Sequence, residues 1–216
     1  MELKALFLNC TLKKSGEESN THAFIKNAEE VFKDLDVETE ILRPADYDIK
    51  FGTSNDEGDG DQWPEILKKI YHCDILIIAT PIWRGDRSSI AKMIAERMDG
   101  IWDDADKETG QYPTFNKVAG VMVDGNEDGA KTCISRIFFD LVEQGFTIPV
   151  NAFTYFVGKA GPGPSYIKAN GDKHEFTNKT MYFMVHSLVE MAKKLKKNPY
   201  SVNFKKLEKE AKSVSA

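Results

Sequence analysis

Three short polar segments carry the residue types that could do chemistry, and each directly follows an apolar run. The first, NCTLKKSGEESNT (9–21), offers Thr11, Ser15, Ser19, Asn20 and Thr21 as hydrogen-bonding side chains just ahead of a helical pattern. The start of a helix adds unpaired N–H groups and the positive end of the helix dipole, so this combination suits a phosphate; a plain polar turn with an N-cap is the competing reading. Neither GxxxxGK[ST] nor GxGxxG occurs, and Gly16 is the only glycine of the segment.

The second segment, TPIWRGDRSS (80–89), gathers a stiffening Pro81, a permissive Gly85, the flat apolar surface of Trp83 and the cations Arg84 and Arg87. N–H groups aimed at ring heteroatoms, with an aromatic beside them, suit a planar heterocycle; the alternative is that Trp83 is core or interface. The third, DGNEDGA (124–130), has Gly125 and Gly129 to leave backbone amides open, and Asn126, Glu127 and Asp128 as ligands or as simple turn residues.

Other chemistries lack their residues. His22, His72, His174 and His186 share no metal-ligand spacing, and NDEGDGD (55–61) does not match a calcium loop, so a solvated loop is expected there. No GxSxG is present, and Cys10, Cys73 and Cys133 are scattered, which suits a reducing compartment and gives covalent catalysis no support.

The elements that must position these segments alternate. LKALFLN (3–9), VETEIL (37–42), DILIIAT (74–80), KVAGVMVDG (117–125) and FTIPV (146–150) have the pattern of strands. Helical spacing marks 20–35, capped by Asn20 or Thr21, then 63–72, 88–102 with Ser88 as cap, 129–145 closed by Gly145, and 177–197. Residues 43–61 show no period. Apolar, two-sided strands alternating with helices predict an α/β fold: a flavodoxin-like three-layer sandwich around a five-stranded parallel sheet of order 2-1-3-4-5. Ligands of such sheets sit beyond the carboxyl ends of the strands, where all three polar segments fall. The 216 residues are expected to form one domain, with a C-terminal helical tail at about 198–216.

A net charge of −5 argues against a broad basic face for nucleic acid, and KKLKK (193–197) and KKLEKEAK (205–212) read as solvated helix faces. The first residues form neither a signal peptide nor a membrane span, so a cytoplasmic location is expected.

A phosphate at one end and a flat ring at the other point to a mononucleotide, FMN being the natural candidate. NCTLKKSGEESNT, TPIWRGDRSSIAKMIAERMDG, KVAGVMVDGNEDGA and NAFTYFVGKAGPG, in this order and with NPY at 198–200, resemble the NAD(P)H-dependent FMN reductase and quinone reductase branch of the flavodoxin-like proteins. The likeness spans about residues 3–200.

The resemblance implies that Thr11, Ser15, Ser19, Asn20 and Thr21 surround the FMN phosphate. It implies that Pro81, Ile82, Trp83, Arg84 and Gly85 line the isoalloxazine, and that Gly125, Asn126, Glu127 and Asp128 approach its pyrimidine edge or the ribityl chain. It further implies NADPH or NADH as hydride donor to flavin N5, a small-molecule electron acceptor served in a ping-pong cycle, and no catalytic side chain. A homodimer or higher homo-oligomer is implied too, with Trp102, Tyr155 and Phe156 as candidate surface. Arg87 stands where such proteins often have proline before paired serines, and offers a cation for a nicotinamide-cofactor phosphate. The irregular 154–166 stretch reads as an active-site cover, a dimer surface or a plain connection. An FMN electron carrier or an FMN-binding redox sensor without turnover remains the alternative.

Overall fold

A computed structural model describes residues 2–159, 161 and 163–214. Its centre is a sheet of five parallel strands, β1 (Leu3–Asn9), β2 (Val37–Leu42), β3 (Ile75–Trp83), β5 (Val118–Gly125) and β6 (Phe153–Val157), in the spatial order β2-β1-β3-β5-β6. The sixth strand, β4 (Asp86–Arg87), pairs antiparallel with the end of β3. Counting only the parallel strands, this is the expected 2-1-3-4-5 order.

The three inner strands are apolar on both faces because both are covered. On one side α1 (Asn20–Lys33) and α5 (Glu175–Lys197) bury Phe24, Phe32, Val185 and Leu188 against Phe7, Ile77 and Met122. On the other, α2 (Trp63–His72), α3 (Ser89–Arg97) and α4 (Ala130–Glu143) bury Trp63, Ile94 and Ile137 against Leu6, Ile78 and Val121. A last helix, α6 (Phe204–Val214), has no buried residue and reaches the body through Phe204, which stacks on Tyr112. Among the described residues no helix is long and apolar enough to cross a membrane.

Several expectations need correcting. The fifth parallel strand is Phe153–Val157, not 146–150: Pro149 has no N–H to give a ladder, and Thr147 makes only an isolated bridge to Val118. Part of the supposedly irregular 154–166 stretch is therefore the edge strand, and Phe156 is core, packed on Tyr166, rather than exposed dimer surface. Ala160 and Pro162 of that stretch lie outside the described residues.

The α1 cap is Ser19, whose hydroxyl accepts from the His22 amide, and not Asn20 or Thr21. α3 ends at Arg97 and continues as a tighter 3-10 helix to Asp104. Gly145, as expected, closes α4 with a positive φ of 84°, while the Phe146 amide reaches back to the Leu141 carbonyl.

The acidic 55–61 loop is not wholly solvated. The Asp61 side chain is 0% exposed and meets the equally buried Arg97 side chain at 2.7 Å. Arg97 also donates to the carbonyls of Lys50 and Ser54 and lies over the Trp63 ring, so one cation organises the whole irregular crossover between β2 and α2.

Candidate functional site

The carboxyl ends of β1, β3 and β5 bring the three polar segments together, because these strands are neighbours in the sheet. A polar residue follows the apolar run of each strand: Asn9, Thr80 and Asp124. Asn9 is fully buried, and its side-chain Oδ1 accepts from the Thr11 amide at 3.3 Å where the chain leaves β1.

Beyond it the first loop is held from outside. Ser15 gives both its amide (2.7 Å) and its hydroxyl (2.5 Å) to Asp46, and Arg43 donates to the carbonyls of Lys14 and Glu17. Burial pushes the Asp46 carboxyl up, but the two Ser15 hydrogen bonds and the Arg43 charge outweigh it and hold the group below the usual carboxylate range. Ser15 thus faces the β2 side, committed to loop anchoring. Ser19 caps α1, Asn20 accepts from the Ile167 amide at 3.0 Å, and Thr11 and Thr21 are buried. The Ser19 hydroxyl takes the His22 amide, which leaves the Asn20 and Thr21 amides of the first turn without an intrahelical acceptor, as at every helix start.

The second segment is a β-hairpin rather than a loop. β3 runs on to Trp83, Arg84 and Gly85 form a two-residue turn with φ of 57° and 76°, and β4 returns, pairing Trp83 with Asp86 and Ile82 with Arg87. Two positive φ values in a two-residue turn match the right-handed twist of the strands, which is why a glycine stands at the second position. Trp83 and Arg84 are exposed at the tip, Pro81 is half-buried and Ile82 is buried.

Two ion pairs clamp the hairpin to α4, Arg87 to Asp140 and Asp86 to Arg136, one helical turn apart. Arg87, with its side chain 7% exposed, is therefore a structural clamp, and not the free cation for a nicotinamide phosphate that its position suggested. Ser88 follows at 0% exposure: it caps α3 by accepting from the Ala91 amide and donates to the Cys10 carbonyl at 2.6 Å, locking the first and second segments together.

The third segment packs under the hairpin tip. Glu127 accepts from the Arg84 amide at 3.0 Å, and a Cβ on Gly129 would stand 2.5 Å from the Gly85 carbonyl oxygen, so only glycine allows this approach. A Cβ on Gly125 would stand 2.9 Å from the Ile82 Cδ1, a side-chain contact and a looser one. Asn126 donates to the Gly163 carbonyl and accepts from the Gly161 amide, which draws the segment after β6 over this edge. Asp128 is exposed, its carbonyl facing Gly85.

Reasoning from the three segments missed Asp124, the residue that opens the third. It is 3% exposed, its register partner is Pro81, and the Thr21 hydroxyl of α1 lies beside it. Burial pushes its carboxyl up to about 7, with the Thr21 hydroxyl pulling the other way. Its Oδ1 and the Nδ2 of Asn9 are buried without a partner among the described residues. A polar residue closing an apolar strand was the available signal for both. Buried thiols add nothing reactive: burial raises Cys133 to about 11 and Cys73 to about 12, and Cys10 further still.

The whole chain from Leu3 into the segment after β6, residues 3–161, matches the model of a protein family described as NADPH-dependent FMN reductase. The chain belongs to that family. Its description names FMN, to which the polar segments pointed, and NADPH, which the resemblance implied. The 8-demethyl-8-aminoriboflavin-5'-phosphate synthase of Streptomyces davaonensis is 39% identical over 212 residues, 94% of this chain and 82% of its own. The crystal structure of RosB with bound 8-demethyl-8-formylriboflavin-5'-phosphate superposes with a TM-score of 0.92 at 37% identity, covering 99% of this chain and 88% of that one. A flavodoxin from Streptococcus pneumoniae superposes at 0.51 with 13% identity over 88% of this chain and 99% of its own, a likeness of fold alone.

The site's residues fit a planar cofactor that ends in an anion. Open amides and the dipole of α1 suit the anion, and orphaned polar atoms of Asn9 and Asp124 lie beneath. At the other end the hairpin tip meets the Gly125–Gly129 turn and leaves the Trp83 indole exposed.

Proposed function

We propose that this member of the family is a cytoplasmic NAD(P)H-dependent oxidoreductase that holds FMN across the ends of β1, β3 and β5. The observation that carries the reading is the convergence of three differently built pieces at one sheet edge: the Ser19-capped helix start, the Trp83–Asp86 hairpin and the Gly125–Gly129 turn. When bound, FMN would supply two-electron redox chemistry between a nicotinamide donor and a small acceptor that use the site in turn, in a ping-pong cycle.

The residues then have positional tasks. Thr11, Ser19, Asn20 and Thr21 shape the phosphate end, where the helix dipole favours negative charge. Pro81, Ile82, Trp83, Arg84 and Gly85 set one wall of the ring site, and the exposed Arg84 adds positive charge beside any negative charge gathered on the ring. Gly125, Asn126, Glu127 and Asp128 form the edge that meets the hairpin. Glu127, by accepting from the Arg84 amide, fixes the distance between the two.

Trp102 (49% exposed), Phe139 (67%) and Val142 (55%) place apolar surface on the α3–α4 side, which supports a homodimer through that face. The test is direct. Flavin-stripped protein is titrated with FMN by fluorescence quenching, then mixed anaerobically with NADH or NADPH while visible absorbance is followed. Rapid bleaching is expected; tight FMN binding without bleaching transfers the assignment to an electron carrier or sensor.

The 39% identity to a synthase named for a modified riboflavin phosphate favours one second reading, that the flavin phosphate is itself the substrate. Mass spectrometry of flavin released after turnover separates the two: unchanged FMN supports the oxidoreductase.

A further inference from the structure

Asn9 and Asp124 follow their apolar runs on the same side of the sheet. Register pairs Asn9 with Ala79, Ala79 with Met122 and Pro81 with Asp124, and side chains alternate along a strand, so all of these point toward the α1 side. There the Asn9 Nδ2 and the Asp124 Oδ1 are buried without a partner among the described residues. Buried polar groups are ordinarily paired, so two orphans on the face that α1 covers call for a functional account.

The carboxyl has no cation to balance it. On the α1 side it meets the neutral Thr21 hydroxyl, β3 and β6 place Pro81 and Phe156 in register with it, and β1 adds the neutral Asn9 to the same face. From α5 come Met181 and Met184, and from the segment after β6 the Tyr166 phenol, which accepts from the Asn27 amide. Burial above all raises that phenol, with the charges of Asp172 and Asp124 adding more weakly. Burial likewise dominates at Asp124 and lifts its carboxyl to about 7, so the group holds its proton below neutral pH.

Thr21 links this carboxyl to the start of α1. Its hydroxyl lies beside Asp124, while its amide and that of Asn20 have no intrahelical acceptor. An anion taken by those amides therefore shares Thr21 with the carboxyl. Even at about 7 Å and an effective dielectric of about 20, two like charges repel enough to change binding by more than about tenfold.

We propose that Asp124 ties capture of the phosphate end of FMN to a proton: the site takes the phosphate with the carboxyl neutral and loses it as that proton leaves. The inference rests on the flavin reading and concerns the phosphate alone. Above neutral pH, binding moves one proton from solvent onto Asp124, and nothing is oxidised or reduced.

The test is fluorescence titration with FMN and with riboflavin, which has the same ring and no phosphate, on the parent and on Asp124→Asn between about pH 6 and 8.5. Asparagine keeps the shape and can still pair with the Thr21 hydroxyl. The parent is expected to match the variant in FMN affinity at about pH 6 and to bind about tenfold more weakly at about pH 8, while the riboflavin ratio moves less than about twofold. Calorimetry of the parent in two buffers of different ionisation enthalpy needs no variant: roughly 0.8 proton is expected to be taken up per FMN at about pH 8, and none per riboflavin.

A parent-to-variant ratio that stays level with pH, a ratio that grows equally for riboflavin, or FMN binding without proton uptake overturns the proposal and leaves the flavin reading standing. The calorimetric result decides alone if Asp124→Asn does not fold. Failure of the parent to bind either flavin at about pH 6 refutes the flavin reading itself, and the inference with it.

Discussion

Asp124 ends an otherwise apolar strand with a carboxyl group that burial lifts from the ordinary 3.8 to about 7. The folded protein keeps this proton where the unfolded chain releases it. The unfolded state therefore binds fewer protons between about pH 4 and 7, and stability falls as pH rises through that window. Asp124→Asn is expected to remove the decline, leaving stability near pH 4 unchanged and raising it at pH 8 by on the order of 1–4 kcal/mol. Urea unfolding at a series of pH values checks this, and parallel curves for variant and parent would show that the carboxyl is not raised. Ser88 is a second residue with two duties, capping α3 and holding the Cys10 carbonyl. Ser88→Ala is expected to cost about 1–3 kcal/mol in the same assay, since it removes a cap and orphans a buried carbonyl.

The β3–β4 hairpin and the Gly125–Gly129 turn act as one element, because neither keeps its shape without the other. Gly129→Ala places a methyl group against the Gly85 carbonyl at a residue whose φ is +129°, so both backbones must shift. A loss of about 1–3 kcal/mol is expected from the strain, with at least about tenfold weaker FMN binding by fluorescence titration. Unchanged FMN affinity in a destabilised variant would place the ring elsewhere. The irregular segment between β2 and α2 depends in a similar way on Arg97. Arg97→Ala leaves Asp61 as an uncompensated buried charge and is expected to cost about 3–5 kcal/mol, while Arg97→Met combined with Asp61→Leu should recover much of that loss.

Across the whole molecule the two buried carboxyls set opposite slopes. Burial alone would raise Asp61, but hydrogen bonds from the Glu57 amide, the Arg97 guanidinium and the Trp63 and Lys50 amides hold it at about 2. Its contribution is complete above about pH 4 and is lost as pH falls through the folded value, whereas the penalty from Asp124 grows from about pH 4 to 7. The Asp61 contribution therefore grows from about pH 2 to 4, and the Asp124 penalty follows it from about pH 4 to 7. Thermal melting of the parent and Asp124→Asn across pH tests this; an unchanged difference between the two from about pH 4 to 7 would contradict the raised Asp124 carboxyl.

The order of apolar runs and helical spacings by itself determined the parallel sheet, its strand order and the edge at which the polar segments meet, because two-sided burial and right-handed crossovers leave little topological choice. It also showed Ser88 and Gly145 as helix boundaries, since caps are local chemistry. Between FTIPV and FTYFV as the edge strand the local signal was Pro149, which has no N–H for a ladder; both runs are short and β-prone, and packing of Thr154 and Phe156 beneath α5 and Tyr166 decided between them. Local pattern could not tell a hairpin from a loop at Trp83–Asp86, where the clamps to Asp140 and Arg136 come from a helix some fifty residues away. The pairing of Arg97 with Asp61, and the burial of Asp124 beside Thr21, likewise exist only once distant segments pack. Which polar groups became anchors and which stayed open to a ligand was a matter of tertiary contact, because a side chain's charge and hydrogen bonds are assigned by its neighbours in space.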